Sequence, residues 1–399
     1  MPFDSGVVAF RRYTVVGQGP LQFEQAHLDA VMEHSIRPAE PSLPEEADYG
    51  WTGGRHVLDA TITFENNVFA EALHVGLRID TNRVPAEIKR AFQMLEDDAA
   101  TAANPGGLIS RVQKLETRRA VRRRLEQELR SGKYRRSRLY PVLWDLPSAT
   151  VMATVHASAE PKLRELFERT FGLSLEPLSA GALARRLLEA RGRRRDTEDV
   201  RPTAFVAGPE GPEQRPEYPW TARLSESRDY LGNEFLLWLW HATARAEGFL
   251  TVNGREIAVM FEKVLDLDCV YGATGRASLR STGPAGMPEA FEALRTGKIP
   301  RKAGLTIESA GAQFTFTLAA ETLAISGLKL PEVPEADTPR VLFEERIALL
   351  RQFGQVLDGL FEEFLRRRIS AGWEQETAAI RNWIGARHQG QARRQLATV

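Results

Sequence analysis

The chain has a single cysteine, Cys269, among its 399 residues. An internal disulfide or a thiolate metal cluster needs more than one cysteine, so both are excluded, and the composition fits a reducing compartment. No run approaches the roughly 18 apolar residues of a membrane span. The start, MPFDSGVVAFRR, lacks a basic region followed by a long apolar stretch. We therefore expect a soluble cytoplasmic protein with no membrane partner.

Motifs of the common enzyme classes are also missing. The sequence contains no GxxxxGK[ST] phosphate loop, no GxSxG nucleophile elbow and no HExxH zinc motif. Asp145 with Glu160-Pro161-Lys162 resembles the Asp…Glu-x-Lys layout of metal-dependent nucleases. An acidic residue followed by proline is, however, typical of a first helical turn. We expect no enzymatic activity, no cofactor and no bound metal, and a metal-dependent nuclease is the alternative.

The chain has no net charge, since 53 Lys and Arg balance 53 Asp and Glu, but the two signs are unevenly distributed along it. Residues 111–138 carry twelve Lys or Arg and three Glu, and residues 185–195 carry six Arg and one Glu. The rest of the chain is therefore acidic. A basic block on an acidic protein indicates a polyanionic partner. The alternative is a solvated helix face that only makes a protein-interaction module soluble.

Apolar spacing predicts an α+β protein. We expect two halves, each with a β-hairpin, a proline-started helix, a basic connection and strands in mixed antiparallel sheets, followed by a long C-terminal helix. The similar order of the halves hints at an internal duplication. The predicted regions are 1–178 for the first half, 179–229 for an Arg- and Pro-rich insertion or linker, 230–332 for the second half, and 333–399 for the C-terminal helix and tail.

Several local patterns give testable expectations. Alternating residues from Leu58 to Phe64 and from Val75 to Ile79 predict a hairpin, and Asn253-Gly254 predicts another. Trp238 and Trp240 fall at core spacing on an apolar helix, which favours packing over stacking on bases. Thr338 and Pro339 should begin the last helix, whose apolar seam from Phe343 to Phe364 suits either its own subunit or a partner.

Longer stretches recur in a characteristic order: FRRY at 10–13, YGW at 49–51, VPAEIKRAF at 84–92, PVLWDLPSATVMATV at 141–155, ASAEPKLRELF at 157–167, LGNEFLLWLW at 231–240, LRTGKIPRKAGLTI at 294–307 and AISGLKLPE at 324–332. Together they resemble the RdgC family of bacterial recombination-associated proteins. The segment 180–229 and the tail after about residue 370 depart from that family's pattern.

The resemblance implies a non-enzymatic, nucleoid-associated protein. Members of the family bind double-stranded DNA with little sequence preference, form a ring-shaped homodimer with a basic hole, and limit access of the recombinase RecA to DNA. The basic helix and loop predicted from the charge pattern would then meet phosphates. The candidate DNA-binding residues are Arg118, Arg119, Arg122, Arg123, Arg124, Arg130, Lys133, Arg135, Arg136 and Arg138, with a second patch at Lys298, Arg301 and Lys302.

Overall fold

A computed structural model of the chain describes residues 3–36, 47–104, 110–211, 213–224, 226–333 and 337–396, without the side chains of residues 223 and 387–396. The protein is α+β, as the sequence predicts. The strands in these ranges are β1 (Val8–Val16), β2 (Asp48–Thr52), β3 (Val68–Phe69), β4 (Ala72–Asn82), β5 (Arg135–Asp145), β6 (Thr150–Ala153), β7 (Ser174–Pro177), β8 (Phe249–Val252), β9 (Arg255–Cys269), β10 (Ala277–Ser281), β11 (Lys298–Ser309), β12 (Ala312–Ala319) and β13 (Ile325–Lys329).

Helices occupy much of the remaining described chain. They are α1 (Gln25–Glu33), α2 (Phe64–Asn67), α3 (Ala86–Ala102), α4 (Arg111–Arg130), α5 (Glu160–Phe171), α6 (Ala180–Ala190), α7 (Arg194–Asp199), α8 (Leu231–Arg245), α9 (Pro288–Arg295), α10 (Pro339–Arg368) and α11 (Trp373–Leu396). None of the helices in the described ranges combines the length and the apolar character needed to cross a membrane.

The strands pair antiparallel in one large sheet. Its main path runs β10-β9-β11-β12-β13-β1-β6-β5-β4-β2, and the short strands β3, β7 and β8 pair with β4, β1 and β9. The centre of the path is the β1–β13 pair, where Val8 lies opposite Leu328. We call β1, β2, β4, β5 and β6 the N-terminal half-sheet, and β9 to β13 the C-terminal half-sheet. Read outward from the centre, the hairpins β5–β6 and β11–β12 occupy matching positions. The chain enters the N-terminal half-sheet at the central strand β1 but leaves the C-terminal half-sheet at the central strand β13, so the two halves do not repeat one strand order.

The two half-sheets differ in how many faces they bury. In β4 every residue from Ala72 to Leu77 is buried, and in β5 every residue from Tyr140 to Asp145 is buried. In β12 buried Ala312, Phe314, Phe316 and Leu318 alternate with more exposed polar residues. Strands covered on both faces read as continuous apolar runs, whereas strands covered on one face alternate. The N-terminal half-sheet is therefore covered on two faces, and the C-terminal half-sheet mainly on one.

Two cores result from this arrangement. The smaller core joins the N-terminal half-sheet to α1 and α5, through residues that include Leu28, Val31, Leu163, Leu166 and Phe167. The larger core lies on the opposite face and continues across both half-sheets beneath α6, α8, α9, α10 and α11. Within the segment predicted as an insertion, α6 contributes Leu183, Ala184 and Leu188 to this larger core.

Helix α8 is the most buried helix at the C-terminal half-sheet. Trp238 and Trp240 are each 2% exposed, which confirms that they are core residues. Gly232 permits the close approach of α8 to the sheet, because a Cβ at this position would lie 1.8 Å from the carbonyl oxygen of Ala320. The packing therefore requires glycine at this second position of α8.

Helix α10 begins where the sequence predicts. Thr338 Oγ1 accepts a hydrogen bond from the Val341 amide at 3.2 Å, and Pro339 takes the first helical position. The apolar seam from Phe343 to Phe364 packs within its own subunit. For example, the Phe353 ring lies 4.8 Å from that of Phe316. Of the two uses left open for the seam, the structure shows the internal one.

The hairpin predicted between Leu58–Phe64 and Val75–Ile79 is wrong. Leu58 is 75% exposed, and β4 pairs instead with β2, β3 and β5. The reason is Asp59, whose buried carboxylate accepts hydrogen bonds from the backbone amides of Arg55 and Thr61. Such local side-chain to backbone bonds stabilise a turn at the expense of a ladder. The alternation of apolar residues was accidental there. The hairpin predicted at Asn253-Gly254 is confirmed as β8–β9.

Candidate nucleic-acid interface

The basic segment folds as the second helix of a helical hairpin inserted between β4 and β5. Ser110 caps α4 by accepting a hydrogen bond from the Gln113 amide at 3.2 Å, and Gln113 Oε1 accepts one from the Ser110 amide at 2.9 Å. This reciprocal capping box fixes the start of the helix. Only Thr117 and Val121 of α4 are buried. The helix therefore packs along a narrow strip and leaves most of its circumference to solvent.

The arginines of α4 lie on one broad side of it. At 100° per residue, Arg118, Arg119, Arg122, Arg123 and Arg130 fall within an arc of about 140°, on the side away from the buried strip. All five are exposed. Arg122 pairs with Glu126 at 3.2 Å, but the two side chains are 83% and 43% exposed. A pair so exposed contributes little stability, so Arg122 is available to another anion.

Arg124 is the exception among the α4 candidates, because it turns toward α3. Its guanidinium carbon lies 4.3 Å from the centre of the Phe92 ring, and its Nη1 lies 4.0 Å from Glu96 Oε1. The cation–π contact and the ion pair hold α4 against α3. The Arg124 side chain therefore contacts α3 and is not part of the exposed arginine side of α4.

The basic residues that connect α4 to β5 also fall into two groups, those paired with a carboxylate and those without such a partner among the described residues. Lys133 Nζ lies 3.6 Å from Glu128 Oε2, and Arg135 Nη2 donates to Asp80 Oδ2 at 2.9 Å. Burial raises the pKa of Asp80, but hydrogen bonds from Arg78, Ser137 and Arg135 outweigh it and hold the pKa below its usual value. Arg135 is therefore part of a buried carboxylate site.

Arg136 and Arg138 are the remaining candidates in this connection, and they lack a carboxylate partner in the described part of the chain. Both are exposed at the start of β5, and neither meets a carboxylate within the described ranges. The same holds for Arg118, Arg119, Arg123 and Arg130. Arg111 also lies within the exposed arc of α4 and is exposed, although it is not among the candidate residues predicted from the sequence. The signal that could have found it was the helical arc itself, rather than the clustering of adjacent arginines.

The second predicted patch lies in the other half-sheet. Lys298, Arg301 and Lys302 belong to β11, which is five strand spacings from β5 in the sheet order, or about 24 Å along the sheet. Arg301 donates to Glu321 at 2.8 Å and to Asp268 at 3.4 Å, and its guanidinium covers the Trp220 ring. Lys298 and Lys302 are half-buried. The structure thus keeps the two predicted patches apart.

The nuclease-like carboxylates are held in two separate places. Asp145 is fully buried, pairs with Arg351 at 2.7 Å and accepts a hydrogen bond from the Ser148 hydroxyl. Glu160 lies in the first turn of α5, as predicted, and pairs with Arg11 at 2.8 Å. Within the described ranges, no group of three or more His, Cys, Asp or Glu side chains is placed to hold a metal ion.

His241 on the Trp-rich helix is a packed residue. It is 1% exposed, and its ring lies 5.3 Å from that of Trp383. Burial lowers its pKa despite the nearby Glu376 carboxylate.

Comparison with known proteins adds no relative. No model of a known protein family matches this chain, and neither does any curated protein. The resemblance to the RdgC family stays a prediction that depends on the motifs quoted above.

Proposed function

We propose that this protein binds double-stranded DNA without sequence preference, through the exposed arc of α4 and the start of β5. The observation that carries the proposal is the set of six arginines exposed without a carboxylate partner in the described ranges: Arg118, Arg119, Arg123 and Arg130 on α4, and Arg136 and Arg138 on β5. Arg122 joins them because its ion pair with Glu126 is solvent-exposed.

The chemistry of these groups suits phosphates. Guanidinium groups bind phosphate oxygens through pairs of parallel hydrogen bonds, and phosphate contacts carry no sequence information. If about six arginines meet phosphates, log K should fall with log salt at a slope of roughly −5.

The assembly is a further part of the proposal, and the motif resemblance supports it. We propose a homodimer closed into a ring around the duplex, which limits the access of RecA to DNA on the nucleoid. A ring needs two distinct contacts per subunit. The seam of α10 is used internally, so both contacts must come from other surfaces.

A second candidate function has one observation in its favour. The α3–α4 hairpin exposes Met94, Leu95, Val112 and Leu115, which are between 49% and 66% exposed. Exposed apolar side chains mark protein contacts when they form one contiguous patch. The hairpin would then bind a protein, and its arginines would serve solubility.

A DNA titration separates the two candidates. We expect replacement of Arg118, Arg119, Arg122 and Arg123 by Ala to weaken binding to unrelated duplexes equally and to reduce the salt slope to about −2. A matched control removes the same charge from Arg191, Arg193, Arg194 and Arg195, three of which pair with carboxylates. Unchanged binding in the α4 variant, or an equal loss in the control, would reject this interface.

Ring closure has its own test. A closed ring should slide off a linear duplex with free ends after a high-salt challenge that screens direct contacts, yet persist on covalently closed circles. Light scattering at micromolar concentration should give the mass of a dimer. Equal loss from both substrates, or a monomer mass, would leave a DNA-coating protein without a ring.

A further inference from the structure

A cavity of about 300 Å³ lies between the sheet and the helices α6 and α10, apart from the basic hairpin. Phe10 of β1, Met152 of β6 and Phe353 of α10 supply apolar walls. Arg12, Arg186 and Asp358 line it as well. Enclosed apolar sites with a few converging polar groups are the usual form of small-molecule sites.

Arg12 is the unusual member of this lining. Its side chain is 5% exposed, and its Nη1 pairs with Asp358 at 2.7 Å. Its Nε and Nη2 are buried and have no hydrogen-bond partner in the described part of the chain. A buried donor left without an acceptor is costly, and the cost is larger for a charged group.

The unpartnered edge of Arg12 is the one that binds carboxylates elsewhere in this protein. Arg78 holds Asp80 through Nε at 2.8 Å and Nη2 at 2.7 Å. Arg55 holds Asp59 through the same two nitrogens, at 3.0 and 3.2 Å. Parallel donors of this kind match the two oxygens of a carboxylate or phosphate. The Nε and Nη2 donors of Arg12 are thus the pair that binds a carboxylate in Arg78 and Arg55, but at Arg12 no carboxylate of the described residues accepts from them.

The charges around the cavity do not balance. Arg12 and Arg186 share the single carboxylate of Asp358, at 2.7 and 3.5 Å. Arg351, also in the lining, is committed to Asp145. One positive charge is left over. Burial, together with repulsion from Arg12, lowers the pKa of Arg186 in spite of Asp358, which is the response expected of two cations crowded around one anion.

We propose that this cavity binds a small organic oxyanion, a carboxylate or phosphate monoester. Its oxygens accept from Nε and Nη2 of Arg12, and its apolar part lies against Phe10, Met152 and Phe353. The bound anion supplies both the missing acceptors and the missing negative charge. The site is independent of DNA binding, because none of the arginines proposed to contact phosphates lines the cavity.

Gly354 of α10 provides a way to fill the cavity without touching Arg12. It lines the cavity, and a Cβ built on it meets no atom within 4 Å. Leucine in place of glycine also favours a helix, so Gly354→Leu should remain folded. Gly385→Leu is the matched control, because Gly385 is an exposed helical glycine of α11 whose Cβ also meets nothing within 4 Å.

The experiment is calorimetric titration with phenyl phosphate, benzoate and inorganic phosphate at constant ionic strength in chloride, with benzyl alcohol as the neutral probe. We expect the wild type and Gly385→Leu to bind at least one oxyanion and not the alcohol. Arg12→Lys, which keeps the charge but loses the paired donors, and Gly354→Leu should each raise the Kd by about tenfold or more. Phenyl phosphate alone or benzoate alone would identify the class.

Two results would overturn the proposal. One is the absence of binding of all three oxyanions to the wild type at millimolar concentration, which would mean that water satisfies Arg12. The other is oxyanion binding that neither Arg12→Lys nor Gly354→Leu weakens. If Arg12→Lys is unfolded by thermal melting, Gly354→Leu decides alone.

Discussion

The two half-sheets each place a hairpin, β5–β6 or β11–β12, beside the central β1–β13 pair, and they differ in the connection that leads into that hairpin. In the N-terminal half-sheet the step from β4 to β5 passes through the long α3–α4 hairpin, whereas the matching step from β9 to β11 passes through β10 and the eight residues of α9. The densest positive charge of the chain is therefore carried by a hairpin that has no counterpart between β9 and β11. Removing its arginines should change binding while leaving the sheet intact.

The burial of the half-sheets differs as well. The N-terminal half-sheet is packed on both faces, and its second face, with α1 and α5, makes the smaller core. The other face of the C-terminal half-sheet is largely polar, and on it the buried Thr306 hydroxyl bonds to the hydroxyl of the half-buried Thr315 at 3.0 Å. The same substitution at matching positions should therefore have very different consequences in the two halves.

The largest effect we expect is from a lysine on the second face of β6. Val151 is 0% exposed in the smaller core, and the matching strand β12 carries the half-buried Thr317. Val151→Lys removes packed apolar atoms and buries a charge, so it should cost more than about 5 kcal/mol. Thr317→Lys should cost about 1 kcal/mol or less. Urea unfolding would measure both, and similar losses would contradict the two-face description.

Besides the Arg12–Asp358 pair described above, α10 forms a buried ion pair with each half of the molecule. Asp145 pairs with Arg351 at the N-terminal half-sheet, and Glu234 of α8 pairs with Arg368 at 2.6 Å. Asp145→Asn and Glu234→Gln should each cost about 3–5 kcal/mol, since an arginine loses its partner. Glu234→Gln should cost more, because Arg368 is 8% exposed and Arg351 is 21% exposed.

An exposed pair gives the control for these two variants. Glu126→Gln at the Arg122 pair should change stability by less than about 0.5 kcal/mol. Equal losses for Asp145→Asn and Glu126→Gln in the same unfolding assay would show that the Asp145–Arg351 pair does not help to hold α10.

Lowering the pH should reduce stability through a group in the N-terminal half and raise it through a group in the C-terminal half. Burial lowers the pKa of His74 in β4 from 6.5 to about 4. The unfolded chain then binds a proton that the folded chain refuses, so stability falls by up to about 3 kcal/mol as pH drops through that window. Burial raises the pKa of Asp229, just before α8, from 3.8 to about 6. Its contribution is present below pH 3.8 and is lost, by up to about 3 kcal/mol, as pH rises through 6.

The two contributions separate in difference measurements. The stability of the wild type minus that of His74→Gln should fall from pH 7 to pH 4, and the wild type minus Asp229→Asn should rise over the same range. Chemical unfolding at several pH values gives both curves. Curves of the same sign would refute the assignment of these groups.

The sequence predicts the C-terminal half-sheet better than the N-terminal one, for a physical reason. Strands with one open face alternate visibly, as Phe314, Phe316 and Leu318 do, whereas strands buried on both faces lose their period. The false strand at Leu58 is the converse case, because an apolar period is present there while the buried Asp59 organises a turn that periodicity does not register. Pairing of β1 with β13 is a contact between distant parts of the chain, and no local pattern indicates it.

Prediction of the candidate DNA-binding site was likewise limited to features of adjacent residues. Charge counting and helical spacing located α4 and its exposed side, because both are properties of adjacent residues. The partners that occupy Arg124, Arg135 and Arg301 lie between 20 and 55 residues away in sequence. Which arginines are free was therefore invisible until the fold brought the carboxylates beside them.

The smallest effect we expect compares the starts of the two matching strands, β5 and β11. Arg136→Ala with Arg138→Ala removes two exposed charges, so the salt slope of duplex binding should flatten by about 2. Lys298→Ala with Lys302→Ala should flatten it by less than about 0.5 and weaken binding by less than about threefold. The reason is that both lysines are half-buried, Lys298 Nζ already donates to the Thr296 hydroxyl, and Arg301 between them is neutralised by Glu321. Equal flattening in the two double variants would mean that DNA contacts both half-sheets, and that the α3–α4 hairpin is not what distinguishes them.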